Sequence, residues 1–286
     1  MALIAFLYQF ADSFAFLVLC AAGLAIIFGM MGVINLAHGE FIMLGAYATA
    51  ISAHLGIPLP LAMACGTVAA AGAGIILERL VIRHLYGRPL DSIIATWAIS
   101  LIASQGMLII AGPTIPGIAT PLGSFAIGNL TFSTYRILLV GAALCVLGSL
   151  YYLFVHTRYG IYARATIQAP DMARALGLNT DIVYCATFGL GAGLAGLAGA
   201  LYAPTMTLVP TMGAGFVIPA FITVIVGGGD VLTGTAPAAG ILGIAQSALT
   251  FKYGTLIGQV GLLLAVILAI RVLPRGISEW IARRAS

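Results

Sequence analysis

Nine stretches of mainly apolar residues run along the chain, roughly 10–31, 41–54, 59–79, 92–111, 135–155, 182–202, 216–228, 232–251 and 255–272. Continuous apolar runs of this length predict helices rather than strands. A helix needs about 20 apolar residues to cross a hydrocarbon core of roughly 30 Å. The expected fold class is therefore all-α, a polytopic transmembrane helical bundle of about eight to ten spanning helices forming one domain over residues 1–286. A transmembrane β-barrel would need period-two alternation, which these runs lack. The second and seventh runs are short for a full crossing. They predict either passages through a thin region or broken helices near the centre, sheltered by their neighbours.

Two stretches interrupt the apolar pattern. Residues 112–134 are rich in Gly, Pro, Thr and Ser and read as a loop outside the membrane. Residues 156–181, HTRYGIYARATIQAPDMARALGLNTD, form the longest polar segment. Within it, Pro170 suits a first helical turn and Asp171 a helix N-terminus, while Gly177 after Arg174 suits a stop. A short surface helix over 170–176 is expected.

Composition supports the membrane reading: 62% of the residues are apolar and 7% are charged, against about 25% charged in soluble domains. The basic residues are sorted. Arg79, Arg83 and Arg88 follow the third run, Arg158, Arg164 and Arg174 follow the fifth, and Arg271, Arg275, Arg283 and Arg284 close the chain. Counting helices between clusters places all three on one side, which the positive-inside rule makes cytoplasmic. Arg136 and Lys252 then fall outside, together with the N-terminus, and the C-terminus is cytoplasmic. A ten-helix arrangement with a re-entrant piece fits the same clusters if the N-terminus is inside. The first ten residues hold no Lys or Arg, so the charged start of a cleavable signal peptide is missing. Cys20, Cys65, Cys145 and Cys185 lie far apart in apolar segments and suggest small buried hydrophobes rather than a metal site.

Three segments are candidates for chemistry. In GMMGVINLAHGEFIMLGAY, residues 29–47, glycines break an apolar run that also holds Asn35, His38 and Glu40. Ionisable groups at membrane depth cost several kcal/mol unless paired or hydrated. Either this is a broken helix whose polar turn shapes a passage, or it is a short cytoplasmic loop in which His38 and Glu40 meet water. In TFGLGAGLAGLAGAL, residues 187–201, Gly191, Gly193 and Gly196 spell G-x-G-x-x-G inside an apolar run, without the strand a dinucleotide fold requires. The spacing of Gly189, Gly193, Gly196 and Gly199 with the intervening alanines predicts close helix packing instead. In VIVGGGDVLTGT, Gly227, Gly228, Gly229 and Asp230 read as a cytoplasmic turn or as backbone exposed to a central pathway.

Several motifs are absent. There is no GxxxxGK[ST], no G-x-S-x-G and no HExxH. The chain is expected to have no catalytic residues, no metal site, no cofactor of its own and no nucleic-acid partner.

The run GVINLAHGEFIMLGAY is similar to the signature near the start of branched-chain amino acid ABC transporter permeases of the LivH-like type. PDMARALGLNTD, then FGLGAGLAGLAGAL, then VGGGDVLTGT resemble that family's second half in order and spacing, as does the closing RVLPRGI. The resemblance covers about residues 25–280. Urea and short-amide permeases resemble the chain nearly as well, notably in TFGLGAGLAGLAGAL and PRGI. Asp230 stands where the commoner form of the turn has a second glycine. The resemblance implies a subunit of a bacterial inner-membrane importer for a small polar solute such as a branched-chain amino acid, urea or short amide. It implies a second, related permease chain that shares the membrane lipid with this one, two cytoplasmic ATPase subunits that hold ATP and Mg, and a periplasmic solute-binding protein. It also implies that residues 165–179 couple to the ATPase, resembling an EAA-type loop through Ala173, Ala175 and Gly177. Pro170, Met172 and Leu176 would enter the ATPase groove and Arg174 would meet an acidic rim. The alternative is a self-contained channel or secondary carrier in which Asn35, His38 and Glu40 coordinate an ion.

Overall fold

The computed structural model describes residues 2–128, 130–272 and 276–279. Arg275, Arg283 and Arg284 of the third basic cluster lie outside the described residues, as do residues 273–275 of the RVLPRGI segment. Eleven named helices run in the order α1 Ala2–Met31, α2 His38–His54, α3 Leu59–Leu80, α4 Pro89–Ala111, α5 Thr134–His156, α6 Arg158–Gln168, α7 Pro170–Ala175, α8 Thr180–Tyr202, α9 Gly213–Gly227, α10 Ala236–Tyr253 and α11 Thr255–Val272. A hairpin of β1 Ser124–Ile127 and β2 Leu130–Ser133 lies within the 112–134 stretch. The nine expected helices are all present. The expected short surface helix over 170–176 is present as α7, and α6 is the one addition; together they divide the polar segment after α5.

Among the described residues, six helices are long and apolar enough to cross a bilayer: α1, α3, α4, α5, α8 and α11, some with short extensions. The difference from the nine expected lies in α2, α9 and α10. α2 has 17 residues, and α9 joins the following helical stretch through a bend of 100°. A helix ends or turns in a membrane only where its freed backbone groups find partners inside the protein.

The core is an antiparallel pair. Gly23 of α1 lies against Gly191 and Ala195 of α8, Met30 against Thr187, and Phe16 against Tyr202. On α8, Gly189, Gly193 and Gly196 face Ile75, Ala71 and Ala70 of α3, and Gly199 faces the Ile42 carbonyl of α2. Small residues let helix backbones approach closely where lipid provides no hydrophobic drive for association. α9 and α10 pack on α1 as α2 and α3 pack on α8. The runs α1–α3 and α8–α10 therefore correspond with inverted direction, and the first residues of α2 and α9 meet at Gly39 and Gly213. Discontinuous helices that meet at a repeat boundary are a recurrent transporter architecture.

The polar ends are distinct. Arg79 lies beside Cys185 of α8, and the Tyr86 ring packs tilted against Tyr184, so the first basic cluster shares an end with α6 and α7. Burial first, and then the hydrogen bond it donates to Glu78, push the Tyr86 hydroxyl well above its ordinary pKa. At the opposite end Arg136 pairs with Asp12, the Tyr8 ring packs on Phe132, and Phe251, next to Lys252, packs on Phe6.

Candidate functional site

The first candidate element is the break between α1 and α2. Gly32, at φ +62°, ends α1 with its N–H on the Phe28 carbonyl. The chain then runs back alongside α1, so that His38 Nε2 lies 2.9 Å from the Cys20 carbonyl, eleven residues before the end of that helix. Asn35 Oδ1 accepts the Ala37 N–H at 3.1 Å, which closes the turn into α2. The Leu36 N–H donates to Thr96 Oγ1 of α4 at 3.1 Å, and that hydroxyl gives its own hydrogen to Ser92 O at 2.7 Å. Asn35 and His38 are fully buried and Glu40 is 9% exposed. Of the two sequence readings, a water-exposed loop is therefore not what forms. The polar turn sits inside the bundle. The Cys20 carbonyl can only accept, so Nε2 carries the hydrogen; among the described residues His38 Nδ1, Asn35 Nδ2 and Glu40 Oε2 have no partner.

The second element is the α9–α10 turn. Gly228 and Gly229 both adopt left-handed backbone, at φ +87° and +83°, which side chains rarely tolerate. Gly227 lies against Gly234 and Thr235, with no room for a Cβ, and Gly229 O is where a Cβ on Gly29 of α1 would fall. Asp230 Oδ1 accepts the N–H groups of Leu232 and Thr233, both at 2.9 Å, and so caps the single π-helical turn Val231–Thr235. The turn closes one side of a cavity of about 500 Å³ at the basic end. α1 contributes Ile26 and Met30, α5 contributes Tyr151 and Phe154, and α6 contributes Arg164 and Ile167.

The third element is the polar segment. α7 starts at Pro170, and Gly177, at φ +86°, ends it with its N–H on the Arg174 carbonyl and Leu178 N–H on Ala173 O. Ala173 is buried, whereas Met172 and Leu176 are 62% and 78% exposed. Arg174 pairs with Asp171 at 3.2 Å and donates from Nε to Thr180 Oγ1 at 2.9 Å, tying α7 to the start of α8. Tyr159 of α6 hydrogen-bonds Thr187 of α8.

A family model described as "Branched-chain amino acid transport system / permease component" matches residues 6–271. The chain belongs to this family. Among its relatives is a probable branched-chain amino acid transport permease protein LivH of Methanocaldococcus jannaschii, 30% identical over 92% of this chain and 89% of that one. The high-affinity branched-chain amino acid transport system permease protein BraD of Pseudomonas aeruginosa is 28% identical over 80% of each chain. The autoinducer 2 import system permease protein LsrD of Escherichia coli is 26% identical over 89% of this chain and 81% of that one. No solved structure matches the chain.

In this permease the sequence-derived candidates fall in separate places. Asn35, His38 and Glu40 lie in the bundle interior, while Gly228–Asp230 sit at the basic end and share a cavity with Arg164 and Ile167 of α6. Glu40 lines a second cavity of about 330 Å³ between α2, α3 and α4, otherwise apolar, and its Oε1 accepts from Ser100 of α4 at 2.8 Å. Among the described residues, no cluster of three His, Cys, Asp or Glu is placed to hold a metal. Sequence reading missed Thr96 and Ser100, hydroxyls inside a long apolar run, and it used Arg164 only as a charge marker. The available signal was that Thr96 and Ser100 are four apart, on one face of α4.

Proposed function

We propose that this chain is the membrane-spanning permease subunit of an ABC importer for branched-chain amino acids, forming half of the passage beside a second permease chain. The match to the permease family over residues 6–271 is the observation that carries this reading, and the names of the LivH and BraD relatives supply the solute. The basic end faces the cytoplasm, by the positive-inside rule. Two ATPase subunits dock there on α6 and α7, ATP and Mg are held by them, and a binding protein delivers solute to the opposite end. α7 suits docking because it is anchored through Ala173 and Arg174 while Met172 and Leu176 point outward. A helix that follows nucleotide state in this way shifts the helices attached to it. The broken α1–α2 and α9–α10 pairs, in contact at Gly39 and Gly213, are the elements that such a shift rearranges.

The test is leucine uptake by proteoliposomes holding the assembled importer and its binding protein. Uptake should require ATP on the ATPase side. Uptake that persists without the ATPase subunits would instead identify a self-contained carrier, and an importer active with urea but not leucine would reassign the solute.

A further inference from the structure

Arg164 and Asp230 line the same cavity at the basic end and do not pair with each other. Arg164 gives one guanidinium hydrogen bond, to the Phe154 carbonyl, and forms no ion pair among the described residues. Asp230 commits Oδ1 to its own turn, and among the described residues its Oδ2 has no hydrogen-bond partner. The rest of the lining is mostly apolar, with Ile26, Met30, Phe154 and Ile167, and carries hydroxyls on Tyr151 and Thr233. The volume, about 500 Å³, lies in the range of small-molecule sites.

We propose that this cavity binds a zwitterion, with an acid anion on Arg164, an ammonium on Asp230 and an aliphatic body on the apolar wall. A guanidinium fork suits a carboxylate or phosphate, and a carboxylate oxygen without a partner suits an ammonium. This rests on the reading of the chain as an amino-acid permease, for which a free branched-chain amino acid is the occupant. A zwitterionic phospholipid headgroup offers the same two charges. The Glu40 cavity does not serve this chemistry, because no cation faces its carboxylate there. The two charges of the basic-end cavity ride on different elements. Arg164 is on α6, one residue break before the docking helix α7, and Asp230 is on the α9–α10 turn held against α1. Movement of α6 with the ATPase changes their separation, so the site is assembled or released with nucleotide state.

The experiment uses the assembled importer in a non-ionic detergent free of phospholipid, without the binding protein, and measures equilibrium binding of radiolabelled leucine. Arg164→Gln and Asp230→Asn are compared with Lys252→Gln at the opposite end. Asn can accept the same two backbone N–H groups, so the turn keeps its cap. Each of the first two variants should weaken leucine binding by about tenfold or more, the value of a hydrogen bond to a charged group. The double variant should lose less than the product of the two, because both act through one ligand. Lys252→Gln should bind as the unaltered importer does. A parallel arm measures phosphatidylethanolamine retained on extraction from membranes that contain it, by native mass spectrometry. Loss of that lipid in both variants with leucine binding intact assigns the site to the headgroup. Unchanged leucine and unchanged lipid in both variants overturn the site. If the unaltered importer neither binds nor takes up leucine, the amino-acid function fails and the lipid arm alone decides the site.

Discussion

A Cβ added to Gly199 would lie 1.8 Å from the Ile42 carbonyl oxygen, against helix backbone that cannot swing aside. Gly148 of α5 has nothing within 4 Å of the same position. Spacing alone places both glycines in apolar helices, and only the neighbours separate them. Gly199→Val should therefore lower the midpoint of thermal unfolding in detergent, with a cost of about 1–3 kcal/mol or more from overpacking. Gly148→Ala should match or slightly exceed the unaltered protein, since alanine is the better helix former by about 1 kcal/mol. Equal midpoints for Gly199→Val and the unaltered protein would mean that α2 and α8 do not meet as described. Asp230 makes a related point. In sequence it is an acidic residue after three glycines, and in the structure one oxygen caps a turn while the other has no partner among the described residues.

At the scale of elements, the polar segment after α5 divides its labour. α6 lies along the bundle end through Tyr159 and carries Arg164 into the cavity, while α7 exposes Met172 and Leu176. Replacing both exposed residues, as Met172→Asp with Leu176→Asp, should leave the unfolding midpoint of the permease unchanged, because both side chains are mostly exposed. Co-purification with the ATPase subunits should be lost. Retained ATPase would remove α7 from the docking surface. The expected 170–176 helix differs from α7 by one residue, since Pro170 and Gly177 punctuate it locally. α6 was not expected, because its residues are polar and it lacks the apolar run by which the other helices were read.

For the whole molecule, the three basic clusters predict an orientation that labelling can check. In a background without Cys20, Cys65, Cys145 and Cys185, Lys252→Cys should react with a membrane-impermeant maleimide in intact cells. Arg83→Cys should react only after the membrane is opened. The reverse pattern would turn the permease over and place α7 where no cytoplasmic ATPase reaches it. The inverted correspondence of α1–α3 with α8–α10 belongs to this scale too. It unites segments about 180 residues apart whose local sequences share little beyond small residues and a break.

By itself the sequence determined that the chain is a helical membrane protein, where nine of its helices run, and that its basic residues sort between two ends. Those properties follow from local composition, since lipid demands long apolar runs and the cost of burying charge confines Arg and Lys to the ends. The tertiary structure decided that the Asn35–Glu40 turn is buried rather than hydrated, because the Leu36 N–H bonds Thr96 of α4 and the His38 ring bonds the Cys20 carbonyl of α1. It also decided that Gly39 and Gly213 meet and that Arg164 and Asp230 share one cavity. Such juxtapositions depend on how helices pack over long sequence separations, and no local pattern of apolar and polar positions encodes them.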